Sequence, residues 1–238
     1  MSVIADKLKK IQDDIAKACA RSGRSEKSIK VVVVTKTAAL EAIQEVIRHG
    51  FVDLGENRVQ HLKQVANDIQ TFLTENQDDP SIPDKVCWHM IGHLQRNKVK
   101  QTLQICRMVQ SVDTLRLAEE LNTQSHKLGI HTDILLQINC SGEPQKYGAP
   151  VGAAVHLAEQ FTTMGNLRLV GLMTMAPLTM DKNRVRASFA RARDIFEEIR
   201  GESFAGAKFK HLSMGMSQDF QIAIEEGATM LRIGSAIF

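Results

Sequence analysis

The 238-residue sequence predicts a single (β/α)8 TIM barrel with one extra helix at its N-terminus. Three observations support this. Short β-branched runs alternate with helical stretches eight times. Each βα unit takes about thirty residues, the size a closed parallel barrel requires. No GxGxxG turn follows the first strand, where an open doubly wound sheet often carries one. The open sheet remains the competing arrangement. One domain over 1–238 is expected, with residues 1–22 forming the added helix.

Ile4, Leu8, Ile11, Ile15 and Ala18 recur at intervals of four and three, one face of an amphipathic helix. After a break at Ser22-Gly23-Arg24, the run from Ile29 to Val34 lacks polar alternation, as a strand buried on both faces does. A helix follows over 38–48, closed by Gly50. The pairing then repeats: a strand at 51–54 before a helix at 57–75, one at 86–91 before 95–104, and one at 108–112 before 114–127. In the second half, strands at 133–138, 167–173 and 208–214 precede helices near 150–163, 182–199 and 217–226, and residues 229–233 form the eighth strand. The segment Thr74 to Lys85 carries Pro80 and Pro83 and reads as a mobile surface loop.

Composition narrows the class. With 43% apolar and 24% charged residues the chain is an ordinary globular protein, not a disordered or collagen-like one. A net charge of +3 is too slight to argue for nucleic acid or an anionic membrane surface. Cys19, Cys87, Cys106 and Cys140 lack CxxC spacing and read as buried small apolar residues in a reducing compartment. The charged N-terminal stretch has neither a signal-peptide core nor a membrane span, so a cytoplasmic, soluble protein is expected.

In a barrel, chemistry sits at the carboxyl ends of strands. Those ends carry Lys36, Glu56-Asn57, His89 and His93, Asn139, Met173 and Met175, Ser213 to Ser217, and Arg232 to Ser235. Side chains alternate across a strand, so Val32, Val34 and Lys36 share one face. If that face points inward, an amine lies at the barrel mouth over an apolar floor. Desolvation there favours the neutral nucleophile, which forms a Schiff base with an aldehyde. Strand context alone leaves a solvated lysine equally open.

The last two units shift the balance. Ser213-Met214-Gly215-Met216-Ser217 opens a helix after strand seven, and Gly234-Ser235-Ala236 is expected to open another after strand eight. Small residues before helix N-termini expose backbone N–H groups, and hydroxyls add donors, a set suited to a phosphate dianion. Turn and cap chemistry explains one such loop equally well. Two adjacent loops, in a barrel whose first strand ends in lysine, point to an aldehyde that bears a phosphate.

Six ordered motifs carry a resemblance over nearly the whole chain. They are Val34–Thr37, Gly55–Gln60, Trp88–Lys98, Gly171–Met175, Leu212–Ser217 and Arg232–Phe238. Together they resemble the pyridoxal phosphate homeostasis family, whose barrel is similar to the N-terminal domain of alanine racemase. The resemblance implies pyridoxal 5'-phosphate (PLP) held as a Schiff base on Lys36. It further implies that Ser213, Gly234 and Ser235 bind the phosphate, that Arg232 faces the pyridine nitrogen, and that Asn57 lines the cofactor ring. The family often carries Thr where Ser235 stands, a swap that keeps the hydroxyl. Relatives usually continue past Phe238 through a glycine and a short tail, and a looser phosphate loop is expected here.

Arg232 bears on mechanism. A guanidinium only donates, so the ring nitrogen that accepts from it stays unprotonated. Such a ring is a poor electron sink, which disfavours transaminase chemistry. A surface ion pair is the alternative for Arg232, and its inward parity with Met230 and Gly234 argues for the site. A racemase needs acid and base groups on both faces of the bound substrate, and beyond Lys36 no second base is evident; Tyr147 is the only tyrosine. The expected function is therefore buffering or delivery of PLP to apo-enzymes without robust catalysis. A low-activity amino-acid racemase or lyase is the alternative, and a cofactor-free Schiff-base aldolase on a sugar phosphate is a third reading. His89 and His93 lack the helical HExxH arrangement, so no metal is expected; His89 reads as cofactor-adjacent or hydrogen-bonded core. The clustered methionines suit either a ring or the filling of the barrel top. Lys98, Lys146 and Arg184, Arg186, Arg191 and Arg193 read as solvated charge. No companion domain lies within the sequence, so a monomer is expected.

Overall fold

The computed structural model describes residues 2–238; residue 1 of the expected N-terminal helix lies outside the described residues. Eight parallel strands close into a barrel in sequence order, the last pairing with the first. They are β1 (Lys30–Val34), β2 (Asp53–Glu56), β3 (Cys87–Met90), β4 (Met108–Val112), β5 (Thr132–Gln137), β6 (Leu167–Met173), β7 (His211–Ser213) and β8 (Met230–Ile233). The helices are α1 (Val3–Arg21), α2 (Leu40–Arg48), α3 (Val59–Glu75), α4 (Val99–Leu103), α5 (Leu115–Lys127), α6 (Ala154–Thr162), α7 (Lys182–Gly201) and α8 (Phe220–Glu225). No helix among the described residues is long and apolar enough to cross a membrane.

Alternation along the strands sorts the core into two layers. Leu54, Leu231 and Ile233 join the helices' apolar faces in the outer layer. Val32, Met108, Leu135, Val170, Met173 and Met230 meet inside the barrel. In β6 the register against β5 skips from Ile134↔Leu169 to Leu135↔Gly171, a bulge at Val170. Gly171 adopts φ 156° there, and a Cβ on it would lie 1.7 Å from the His211 carbonyl oxygen. That phase change brings both Val170 and Met173 inward. Helix α1 lies on the outside, its face of Leu8, Ile11, Ile15, Ala18 and Cys19 buried. Arg24 donates to the carbonyls of Ile224 (2.8 Å) and Ala228 (2.7 Å), which tie the end of α8 to the segment after α1.

Several boundaries differ from the sequence expectation. Strand β2 starts at Asp53, not Phe51, because the ladder to β3 runs through Gly55 and Glu56. Strand β7 spans three residues, and α8 begins at Phe220 rather than 217. The helix expected after Gly234 is a turn in which the Ile237 and Phe238 N–H groups both donate to the Gly234 carbonyl, at 2.8 and 3.2 Å. The 74–85 segment is anchored by the buried Ile82 and by Asp79, which accepts from the Ser81 N–H and hydroxyl. Cys19, Cys106 and Cys140 are buried as expected, whereas Cys87 is exposed.

Candidate functional site

Lys36 stands just past β1, in the turn that leads to α2. Its neighbour Thr35 is fully buried and donates its hydroxyl to the buried Glu56 carboxylate at the end of β2. The Thr35 N–H bonds the Gly55 carbonyl at 3.1 Å. Both contacts turn Thr35 toward the helix layer. Alternation then puts Lys36 on the inward face it shares with Val32 and Val34. The side chain is exposed at the mouth, so the burial expected over an apolar floor is absent; the valines lie deeper in the strand.

Arg232 occupies the same face of the neighbouring strand. The β1–β8 register pairs Val32 with Arg232 and Val33 with Ile233. Arg232 is 4% exposed, which removes the surface-ion-pair alternative. Its Nη1 donates to the Ser213 hydroxyl at 2.7 Å and its Nη2 to the Thr174 carbonyl at 2.8 Å. Burial pushes the guanidinium down to about 10, against the Asp219 charge that raises it, so Arg232 remains a cation at neutral pH. Asp219, raised by burial, accepts from the Met216 N–H at 2.6 Å.

Beyond Arg232 the chain turns at Gly234, half-buried, and Ser235, exposed. A Cβ on Gly234 would lie 3.1 Å from the Val34 carbonyl oxygen, so only a small residue lets the end of β8 seat against β1. The Gly234 and Ala236 N–H groups both point at the Ser217 Oγ, at 3.3 and 3.2 Å. Two convergent N–H donors around one oxygen form a small anion nest. Ser217, which the resemblance did not name, is the hydroxyl that stands in this turn. The Ser213 hydroxyl instead lies inside the barrel, donating to Gln110 Oε1 at 2.7 Å while it accepts from Arg232. Ser217 lies inside the motif read from the sequence, and its position in the helix-opening turn was the available signal.

Asn57 is half-buried in the turn after β2. Gly92, after β3, packs against its backbone so closely that a Cβ there would lie 2.3 Å from the Asn57 carbonyl oxygen. Lys36, Arg232, Gly234 and Ser235 therefore lie on two neighbouring strands and the turns after them, Asn57 follows the next strand, β2, and the Ser213 hydroxyl bonds Arg232. His89 belongs to the hydrogen-bonded core: Nε2 lies 2.8 Å from Asp53 Oδ1 and Nδ1 3.0 Å from Gln110 Nε2. His93 stacks on Tyr147, ring centroids 4.1 Å apart. Lys146 is not simply solvated: it donates to the Ala176 carbonyl at 2.8 Å and pairs with Glu143 at 2.5 Å, which joins two loops of the mouth. Arg186 and Arg193 pair with Glu225 and Glu226 on and after α8.

The donor set has a definite chemistry. A primary amine accepts an aldehyde carbon, an N–H nest accepts a phosphate oxygen, and a buried guanidinium offers hydrogen bonds to a neutral ring nitrogen. These residues fit PLP.

Comparison with known proteins agrees. The family described as "Alanine racemase, N-terminal domain" matches residues 7–238. Alanine racemase of Clostridium difficile shares the fold at 15% identity and TM-score 0.69, with 98% of this chain covering 55% of that one. Among curated relatives, the pyridoxal phosphate homeostasis protein of Aquifex aeolicus is 35% identical, covering 98% of this chain and 96% of its own length. The human protein of the same name is 32% identical over 97% of this chain and 84% of its own length. PipY of Synechococcus elongatus, solved with PLP bound, is 30% identical with TM-score 0.76, covering 94% of this chain and 99% of that one. The chain belongs to the alanine racemase N-terminal domain family and, within it, to the pyridoxal phosphate homeostasis proteins.

Proposed function

We propose that this protein binds PLP at the barrel mouth and serves in its homeostasis, by buffering the cofactor or delivering it to apo-enzymes. In this reading Lys36 would hold the cofactor through its amine, as a Schiff base with the aldehyde. The Gly234 and Ala236 N–H groups and the Ser217 and Ser235 hydroxyls take the phosphate. Arg232 would donate to the ring nitrogen and keep it unprotonated, while Asn57 would line the ring. Bound PLP supplies an electrophilic imine carbon; with a neutral ring nitrogen it withdraws electrons weakly. The observation that carries the reading is the placement of Lys36, the buried Arg232 cation and the N–H nest on two adjacent strand ends.

Arg232 argues against transaminase chemistry but leaves a racemase open; the carrier is favoured because no second base besides Lys36 is evident, and Tyr147, the only tyrosine, has its ring stacked on His93. Transient contact with PLP-dependent apo-enzymes, a monomeric state, a cytoplasmic location and one domain over 1–238 complete the reading. The test is the absorption spectrum of the protein with PLP, before and after borohydride reduction. A visible band that reduction abolishes, with the modified peptide containing Lys36, is expected. Solvent deuterium entering Cα of a common amino acid in a Lys36-dependent manner would establish the racemase or lyase instead.

A further inference from the structure

Five polar side chains form one hydrogen-bonded line through the barrel. Arg232 Nη1 donates to Ser213 Oγ (2.7 Å), Ser213 Oγ to Gln110 Oε1 (2.7 Å), and Gln110 Nε2 to His89 Nδ1 (3.0 Å). His89 Nε2 in turn lies 2.8 Å from Asp53 Oδ1, and Lys30 Nζ lies 3.0 Å from each Asp53 oxygen. The line starts beneath the mouth and ends at the first residue of β2, on the opposite rim. His89, Gln110 and Ser213 are fully buried, so no bulk water can complete a missing bond.

The chemistry of the two ends fixes every bond between them. A guanidinium only donates and an ionised carboxylate only accepts. Asp53 is ionised at neutral pH: burial pushes its carboxyl up, but the hydrogen bonds from His89 and Lys30 and the Lys30 charge beside it hold it below the ordinary range. His89 must therefore donate from Nε2, and the neutral ring then accepts at Nδ1. The Gln110 amide must present its nitrogen to His89 and its oxygen to Ser213, and its nitrogen also approaches the Met230 sulfur at 3.1 Å. The flipped amide would set oxygen against sulfur and against the ring lone pair. A second proton on His89 would force that flip and leave the Ser213 hydroxyl hydrogen without an acceptor. One arrangement of protons satisfies the whole line.

We propose that His89, Gln110 and Ser213 are positioning residues that, anchored on Asp53, hold the Arg232 guanidinium in the orientation from which it meets the ring nitrogen. This rests on the proposed binding of PLP. Among the described residues no carboxylate lies within 4.0 Å of Arg232, so hydrogen bonds rather than an ion pair aim it. Two of its N–H groups are committed to Ser213 and Thr174, and the remaining donors are left for the ligand.

Three measurements test it. In the ligand-free protein, 15N spectra of labelled histidine, with His89 assigned through a His89→Gln variant, should show Nε2 protonated and Nδ1 bare at neutral pH. A ring protonated on Nδ1 alone, or on both nitrogens, overturns the assignment. In PLP titrations followed by absorbance, Gln110→Leu and Ser213→Ala should each weaken binding by about ten-fold, the size lost when a supporting hydrogen bond behind a ligand contact is cut. The double variant should lose no more than the worse single one, because both break the same line. Unchanged affinity, or losses that multiply as independent packing defects do, overturns the proposal. A wild-type chain that takes up no PLP defeats the proposed function separately; in that case unchanged Arg232 side-chain 15N resonances in ligand-free Gln110→Leu overturn the relay.

Discussion

Lys30 and Lys36 stand six residues apart at opposite ends of β1, on its inward face, and the barrel treats them differently. Lys30, at the N-terminal rim, holds both oxygens of Asp53 at 3.0 Å. Lys36, at the C-terminal rim, has no carboxylate within 4.0 Å among the described residues and extends into solvent. The rims follow the same division elsewhere. Asp133 and Arg168, the inward residues at the start of β5 and β6, pair at 2.5 Å. The mouth has one such pair, Lys146 with Glu143, and beside it offers backbone N–H groups, hydroxyls and an amine. At the N-terminal rim these charges are committed to one another, whereas the other rim presents donors a ligand can use, on the face where a barrel of this kind carries its site.

The largest effect that separates the two lysines is loss of covalent capture. Lys36→Ala should abolish the borohydride-reducible PLP adduct. Lys30→Ala should leave that adduct in place and cost about 1 kcal/mol or less of stability, because Lys30 is 43% exposed and its pair is partly screened. Peptide mass after reduction and a chemical melt of each variant read the two effects. An adduct that survives Lys36→Ala and disappears in Lys30→Ala would reverse the assignment of the rims.

The contrast was half legible in the sequence. Four valines before Lys36 gave the strand and its parity, and the Gly-Ser turns after β7 and β8 gave the phosphate end. These signals are local, set by alternation and by the few residues that tolerate tight turns. What escaped was everything made across the barrel. Gln110 bonds Ser213 across 103 residues of sequence, and neither residue's surroundings suggest the other. The family resemblance implied Ser213 as a phosphate ligand, and its hydroxyl lies inside the barrel between Arg232 and Gln110. The three-residue β7 ends on it with its side chain inward, and Ser217, four residues on, reaches the turn instead. The start of β2 was misplaced for a similar reason: Phe51 and Val52 are apolar, but it is Asp53, committed to Lys30 and His89, that begins the strand.

Backbone fit at the open rim gives the next effect. A Cβ on Gly92 would lie 2.3 Å from the carbonyl oxygen and 2.7 Å from the Cα of Asn57, and backbone atoms cannot rotate away. Gly92→Ala should therefore destabilise the fold by about 1–3 kcal/mol, as overpacking does, and weaken PLP binding by displacing the Asn57 turn. Gly152→Ala, where a Cβ meets nothing within 4 Å, is the control and should be near neutral. Thermal midpoints and PLP titrations of the pair would show whether the tight seam beside Asn57 matters to the ligand.

The N-terminal rim has its own signature in acid. The Asp53 carboxyl is raised by burial but, on balance, held below its ordinary value by His89 and Lys30. Between the folded and unfolded values the unfolded chain binds the extra proton, so stability falls as pH falls. The contribution is complete above the unfolded value of about 4 and lost as pH drops through the folded one. Asp53→Asn should be less stable than wild type at pH 7, with denaturant midpoints that converge as pH falls below about 4. A gap that stays constant to pH 2 would mean that the carboxylate charge contributes nothing and only its shape matters.

The smallest expected effect sharpens the open rim. The Ser217 oxygen accepts from two N–H groups at 3.2 and 3.3 Å, the long end of the hydrogen-bond range, so each bond is weak. Removal of the hydroxyl by Ser217→Ala leaves both donors at a half-buried turn that water or a ligand oxygen can reach, and so should cost no more than about 1 kcal/mol of stability. Binding should respond in a way that distinguishes two roles. If Ser217 contributes its own donor to the phosphate, affinity for PLP and for inorganic phosphate should fall together, by a few-fold. Where Ser217 only occupies the nest ahead of the ligand, its loss frees two N–H groups and both affinities should rise. Pyridoxal, which lacks the phosphate, should bind the variant and the wild type equally in either case; a change there would place Ser217 against the ring and remove the nest from the account.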